Sequence, residues 1–214
     1  MTADPAHGRV PLVRGLLWGL LVAALVGVGM VAAWSRFHRP EPPPVLGRVP
    51  AFSLTNRDGR TVTAADLAGA PWIADFIFTR CAASCPMMTA RMTRLDRALP
   101  AAPPIHLVSF TVDPAHDTPE VLARYAARQG APPRWLFLTG PADRLLDLSR
   151  RGFKLAVGPA PAAGAAPADD ALVHSTRFVL VDGGGGIRGY YDGFDEEAMA
   201  RLEKDLEALQ LTSR

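Results

Sequence analysis

Gly15 to Trp34 runs 20 residues without a charge, bracketed by Arg14 and Arg36. At about 1.5 Å of rise per residue, such a helix reaches about 30 Å, the hydrocarbon thickness of a bilayer. A core helix would show one polar face, and this segment has none. Residues 15–34 are therefore expected to form a single N-terminal transmembrane anchor behind a short tail, residues 1–14. A signal peptide is the competing reading, since Val31-Ala32-Ala33 has the small residues of a cleavage site. The apolar run nevertheless exceeds the usual h-region. Arg9 and Arg14 precede the span, and Arg36 and Arg39 follow it, so the positive charges do not orient it. A short tail inside and a large domain outside the cytoplasm is the economical arrangement. Residues 35–49 read as a linker, rich in proline from Pro40 onward and either extended or without fixed geometry.

Beyond it, residues 50–214 alternate between two hydrophobic periods. Ala51–Leu54 and Thr61–Thr63 flank an Asp58-Gly59 turn and predict a hairpin. Pro71–Thr79 is almost continuously apolar, as in a central strand covered on both faces. Ile105–Val112, Trp135–Leu138 and Thr176–Val181 repeat that pattern, and Gly183–Gly186 turns the last into Ile187–Tyr191. Between them lie helices. One opens at Thr118-Pro119-Glu120, with a cap, a proline and an acid in the first turn, and stops at Gly130. Others cover Pro141–Arg151 and Glu196–Leu209, the latter capped by Asp195. The order predicts an α/β fold, a three-layer domain with a mixed sheet.

Composition narrows the function. Lys and Arg total 23 against 21 Asp and Glu, a balance that gives no reason to expect a nucleic-acid partner. Two cysteines are too few for a disulfide scaffold or a four-thiolate zinc site. Both lie in FTRCAASCPMMTARM, where the first buried strand gives way to a helix. Ligands of open α/β sheets bind at such strand ends. A helix N-terminus also favours thiolate over thiol. With Cys81 and Cys85 four residues apart, a helical turn separates their Cβ atoms by about 5–6 Å, wider than a relaxed disulfide and suited to sharing a soft metal. A structural disulfide stays open if the first turn is loose. His174, in LVHSTRF, is a candidate third ligand from a distant loop, although a lone histidine is more commonly a hydrogen-bonded surface or core group. His116, in VDPAHDTP, reads as solvent-facing. Met87, Met88 and Met92 read as core filler before thioether ligands. Asp113 and Asp117 either meet a partner's basic patch or cap the loop and helix, with capping favoured for Asp117.

Taken together, FTRCAASCPMM, SFTVDPAHDTPEVLARYA and LVHSTRFVLVDGGGGIRGYYDG, preceded by the apolar span, resemble the SCO/SenC family of copper-binding assembly factors for cytochrome c oxidase. The resemblance implies a thioredoxin-like fold. It also implies a copper site formed by Cys81, Cys85 and His174, for Cu(I) or Cu(II), and delivery to the binuclear copper centre of an oxidase subunit. The expected role is a membrane-anchored metallochaperone without turnover, its domain on the periplasmic side of an inner membrane or in the equivalent intermembrane space. The rival is a thiol–disulfide oxidoreductase that keeps the recipient's copper-binding cysteines reduced; the third reading is an inert disulfide domain. Soft thiolates with an imidazole suit copper, and three ligands leave room for an incoming one. The chain departs from many relatives at Ala82, where they have proline, and at Val173, where they have aspartate. The loop Gly158–Ala168, of small residues and proline, is expected to be mobile and to let His174 join the metal late.

Overall fold

The structure is a computed structural model that describes residues 10–37, 41–81, 84–99, 105–155 and 175–212. The chain divides into two compact units, residues 1–41 and 42–214. Within the first, helix α1 (Val10–Phe37) has a mean hydropathy of 1.9 over Arg14–Val31. Its 28 residues are long and apolar enough to cross a membrane.

The second unit is built on strands β1 (Gly47–Arg48), β2 (Ser53–Asn56), β3 (Thr61–Thr63), β4 (Trp72–Ile77), β5 (His106–Thr111), β6 (Trp135–Thr139), β7 (Arg177–Val181) and β8 (Gly186–Asp192). Helices α2 (Ser84–Ala98), α3 (Pro119–Arg128), α4 (Ala142–Asp147) and α5 (Glu196–Thr212) complete it. One sheet carries all eight strands in the order β1-β8-β7-β4-β5-β6-β2-β3. Strands β4, β5 and β6 run parallel and the flanking pairs are antiparallel, which gives the expected mixed sheet.

The central strand is what the apolar run predicted: every residue of β4 is buried. Alternate side chains serve two cores. Ile73 and Ile77 join Leu107, Trp135 and Phe178 against α2, α3 and α5. Trp72, Ala74 and Phe76 join Phe110, Leu138 and Val179 against Leu145, Leu148 and Phe153 on the other face. That is a three-layer domain.

Local signals are also met. Gly59 adopts φ +77° in the β2–β3 turn and Gly130 φ +66° after α3, where an L side chain would be strained. The Thr118 hydroxyl caps α3 by accepting from Val121 N–H, with Pro119 in the first turn. Asp195 Oδ1 accepts from Glu197 N–H at the start of α5.

Two expectations change. The boundary at 49/50 moves, because the end of the proline-rich segment is part of the fold. Gly47 and Arg48 pair with Ile187 and Gly186, Leu46 N–H donates to Ile187 O, and Val49 is buried. Arg188 adds a hydrogen bond to the Pro43 carbonyl. The helix expected over Pro141–Arg151 divides into α4 and a π-helical turn, Leu148–Gly152, closed by Phe153 N–H to Leu148 O at 2.8 Å. Gly152 there lies against the Pro50 ring, leaving no room for a Cβ.

Candidate metal centre

Strand β4 delivers its carboxyl end to a short loop, Phe78–Cys81, and α2 begins at Ser84. Cys81 N–H donates to Phe78 O at 3.2 Å, closing the loop into a turn. Cys85 thus lies in the first turn of α2, and Cys81 on the loop that precedes it. They stand as thiols, with no disulfide between them. Cys81 is partly exposed and Cys85 is 1% exposed.

Their environments are unequal. Cys81 Sγ accepts from the Cys85 backbone N–H at 3.3 Å and lies 3.6 Å from the Ser84 hydroxyl. Hydrogen bonding to Cys81 and burial push the Cys85 thiol up and keep it protonated. The result is an outer sulfur that receives the Cys85 amide and an inner thiol buried beside it. A soft cation held by both sulfurs would displace their protons, which is chemistry suited to two sulfur donors.

Behind the thiols, the β5–α3 loop grips the residues that lead to Cys81. Asp117 is fully buried, and its carboxylate accepts from Thr79 N–H at 3.1 Å and from the Thr79 and Thr111 hydroxyls. Asp113 takes two hydrogen bonds from Arg80, at 2.6 and 2.9 Å. The loop holds its own shape through Asp113 N–H to Thr111 Oγ1 and Asp117 N–H to Asp113 O. The capping role expected for Asp117 is therefore filled by Thr118, and the carboxylates of both acids face Thr79 and Arg80. His116 is exposed, as expected. Met88 and Met92 are core residues, whereas Met87 is exposed and is not core filler.

His174 lies outside the described residues, as do Ala82, Val173 and the Gly158–Ala168 loop. Among the described residues, no group of three or more His, Cys, Asp or Glu is arranged to hold a metal ion. The two sulfurs are the donor set on view. Sequence reading passed over Asp75, in the middle of the buried strand. Its Oδ1 accepts from Ser109, which in turn accepts from Trp135 Nε1–H, and its Oδ2 has no hydrogen-bond partner. Burial pushes its carboxyl up to about 7, against the opposing hydrogen bond from Ser109. An acid inside an apolar run was the available signal.

A thiol pair at a helix start, on the carboxyl end of the central strand of a three-layer mixed sheet, defines a thioredoxin-like protein. The chain belongs to the SCO1/SenC family, whose profile matches residues 45–209. It is 30% identical over 200 residues to the SCO1 protein homolog of Bacillus subtilis, covering 92% of this chain and 96% of that one. It is 34% identical over 162 residues to the mitochondrial SCO2 homolog of Bos taurus, covering 69% of this chain and 60% of that one. Among solved structures, a SCO1/SenC family lipoprotein from Bacillus anthracis superposes with a TM-score of 0.68 at 30% identity, over 78% of this chain and 98% of that one. BsSco superposes with a TM-score of 0.69 at 32% identity, over 80% and 98%. BsSco is a member of the Sco family of cytochrome c oxidase assembly proteins, and a disulfide switch has been identified in it. A protein of Stutzerimonas stutzeri, provisionally named as copper-binding, is 32% identical over 145 residues, covering 66% of this chain and 68% of that one.

Proposed function

We propose that this chain is a membrane-anchored copper carrier that takes part in assembling the copper centre of a cytochrome c oxidase. Cys81 and Cys85 bind the ion, and His174 supplies the third ligand. The observation that supports this most directly is the sulfur pair at the start of α2, with Cys81 Sγ already receiving Cys85 N–H. Membership of an assembly-factor family adds the oxidase as the destination. Helix α1, over residues 15–34, is the anchor, residues 1–14 a short tail, and the folded domain lies outside the cytoplasm.

Copper is cargo in this reading. Loading displaces the protons of both thiols to solvent, with the partly exposed Cys81 sulfur as the point of first contact. Unloading is ligand exchange: an incoming thiolate from the oxidase subunit bonds to copper as the imidazole leaves, and the two carrier sulfurs follow. Three ligands rather than four keep a position open for that exchange.

Titration of the reduced full-length chain in detergent with Cu(I), against a competing chelator, tests the reading. One equivalent binds to wild type, and Cys81→Ser, Cys85→Ser and His174→Ala each lose about ten- to a hundredfold in affinity or more. Binding that is indifferent to either cysteine overturns the assignment. A second reading, reduction of the recipient's cysteines, is favoured by the disulfide switch of BsSco and by the paired thiols here. It predicts that the reduced chain converts an oxidised recipient peptide to dithiol while forming its own Cys81–Cys85 disulfide, with no copper present.

A further inference from the structure

The best-connected carboxylate near the thiols is not a cysteine neighbour in sequence. Asp117 comes from the far side of β5, is fully buried, and accepts three hydrogen bonds. Two come from Thr79, through its backbone and its hydroxyl, and Thr79 lies just before Arg80 and Cys81. The third, from Thr111, ties the same carboxylate to the end of β5. Arg80 and Asp113 make a second tie between the same two loops, but that pair is partly open to solvent. A buried carboxylate that collects three donors fixes its partners more firmly than a partly exposed ion pair does.

We infer that Asp117 is a positioning residue for the thiol pair: by holding Thr79 against the end of β5, it sets where Cys81 Sγ stands relative to the amide and thiol of Cys85. This rests on the reading of Cys81 and Cys85 as the working site. The reduced pair depends on a 3.3 Å approach of Cys85 N–H to a sulfur carried on a loop rather than on the helix. The loop has its own tie at Cys81 N–H to Phe78 O, and Asp117 ties Thr79, one of the two residues between those groups. Without it, Cys81 keeps its chemistry but loses its place. Metal affinity falls, and the balance between dithiol and disulfide moves toward the disulfide, because the hydrogen-bonded reduced form is the one the carboxylate supports.

Asp117→Asn is the near-isosteric test, since an amide cannot accept all three donors while presenting its own NH2. The full-length chain is assayed in two ways. Cu(I) affinity is measured by chelator competition. Redox balance is measured without copper, in the exchange of protein disulfide and two glutathiones for protein dithiol and glutathione disulfide. Relative to wild type, Asp117→Asn loses about tenfold or more in Cu(I) affinity, and its glutathione midpoint moves to more reducing buffer. Asp205→Asn removes another carboxylate contact, to the Tyr191 hydroxyl, and serves as the stability control. It lowers the melting temperature and leaves both readouts at wild type. If Asp117→Asn fails to fold, Thr79→Val and Thr79→Ser decide: the first, lacking the hydroxyl, shifts both readouts, and the second restores them. The inference is overturned if the variants keep the wild-type glutathione midpoint, or if Asp205→Asn moves it equally. Absence of Cu(I) binding by wild type would instead remove the copper reading and leave the glutathione midpoint to judge Asp117 alone.

Discussion

Asp75 is a carboxyl group with zero exposure in the middle of β4, and its second oxygen finds no donor. Burial raises its carboxyl to about 7, far above the ordinary range of about 4. Between those two values the folded protein holds a proton that the unfolded chain has released. Stability therefore falls as pH rises from about 4 and levels off above about 7. His106 acts in the opposite sense, because burial lowers its basicity and makes its protonation in acid unfavourable to the fold. Comparison with Asp75→Asn separates the two. The variant, permanently neutral, should unfold at a higher urea concentration than wild type well above pH 7 and show little advantage near pH 4, the two ends of that window. Equal midpoints at both ends would refute the assignment. A second residue-scale case is Gly193. Its backbone N–H donates to Thr176 O, and a Cβ there would overlap Met88 Sδ and crowd the Phe178 ring. Gly193→Ala should cost about 1–3 kcal/mol, read from chemical denaturation.

Among elements, the legible ones are those whose signal is local. The all-apolar β4, the Asp58-Gly59 turn and the Thr118-Pro119 start of α3 could be read from adjacent residues, because burial on both faces, a positive φ and a helix cap each need only a few. Strand β1 could not. Its two residues carry no alternation and follow prolines, and it exists because β8, from the far end of the domain's sequence, offers it an edge. The π-helical turn after α4 was equally hidden, since the Pro50 ring that crowds Gly152 comes from another part of the chain. The same limit governs the site. Cys81 and Cys85 announced themselves by spacing, whereas Asp117 resembled a cap because its true partners, Thr79 and Thr111, lie outside its own helix start. The element-scale prediction concerns β1. A chain beginning at residue 50, the boundary the sequence suggests, should be less stable than one beginning at residue 42 by about 1–3 kcal/mol, for lost backbone pairing and the burial of Val49. Superimposable denaturation curves would show that β1 contributes nothing.

For the whole molecule, helix α1 and the folded unit divide the labour proposed above, attachment in one and metal handling in the other. Deleting residues 1–41 should move the protein from the membrane fraction to the soluble fraction. Cu(I) affinity, measured on both purified forms, should stay within about threefold, well under the roughly tenfold set by one lost ligand contact. Retention of the shortened form in membranes would mean that something other than α1 holds it there.

Both margins of the sheet are brief. Strand β1 has two residues, one of them an arginine, and β3 has three, following a turn that carries Arg57, Asp58 and Arg60. Neither offers a long run of unpaired amides on which a neighbouring copy could zip itself, and charge at the rims discourages the attempt. Joining two copies of this domain edge to edge would therefore gain few backbone hydrogen bonds.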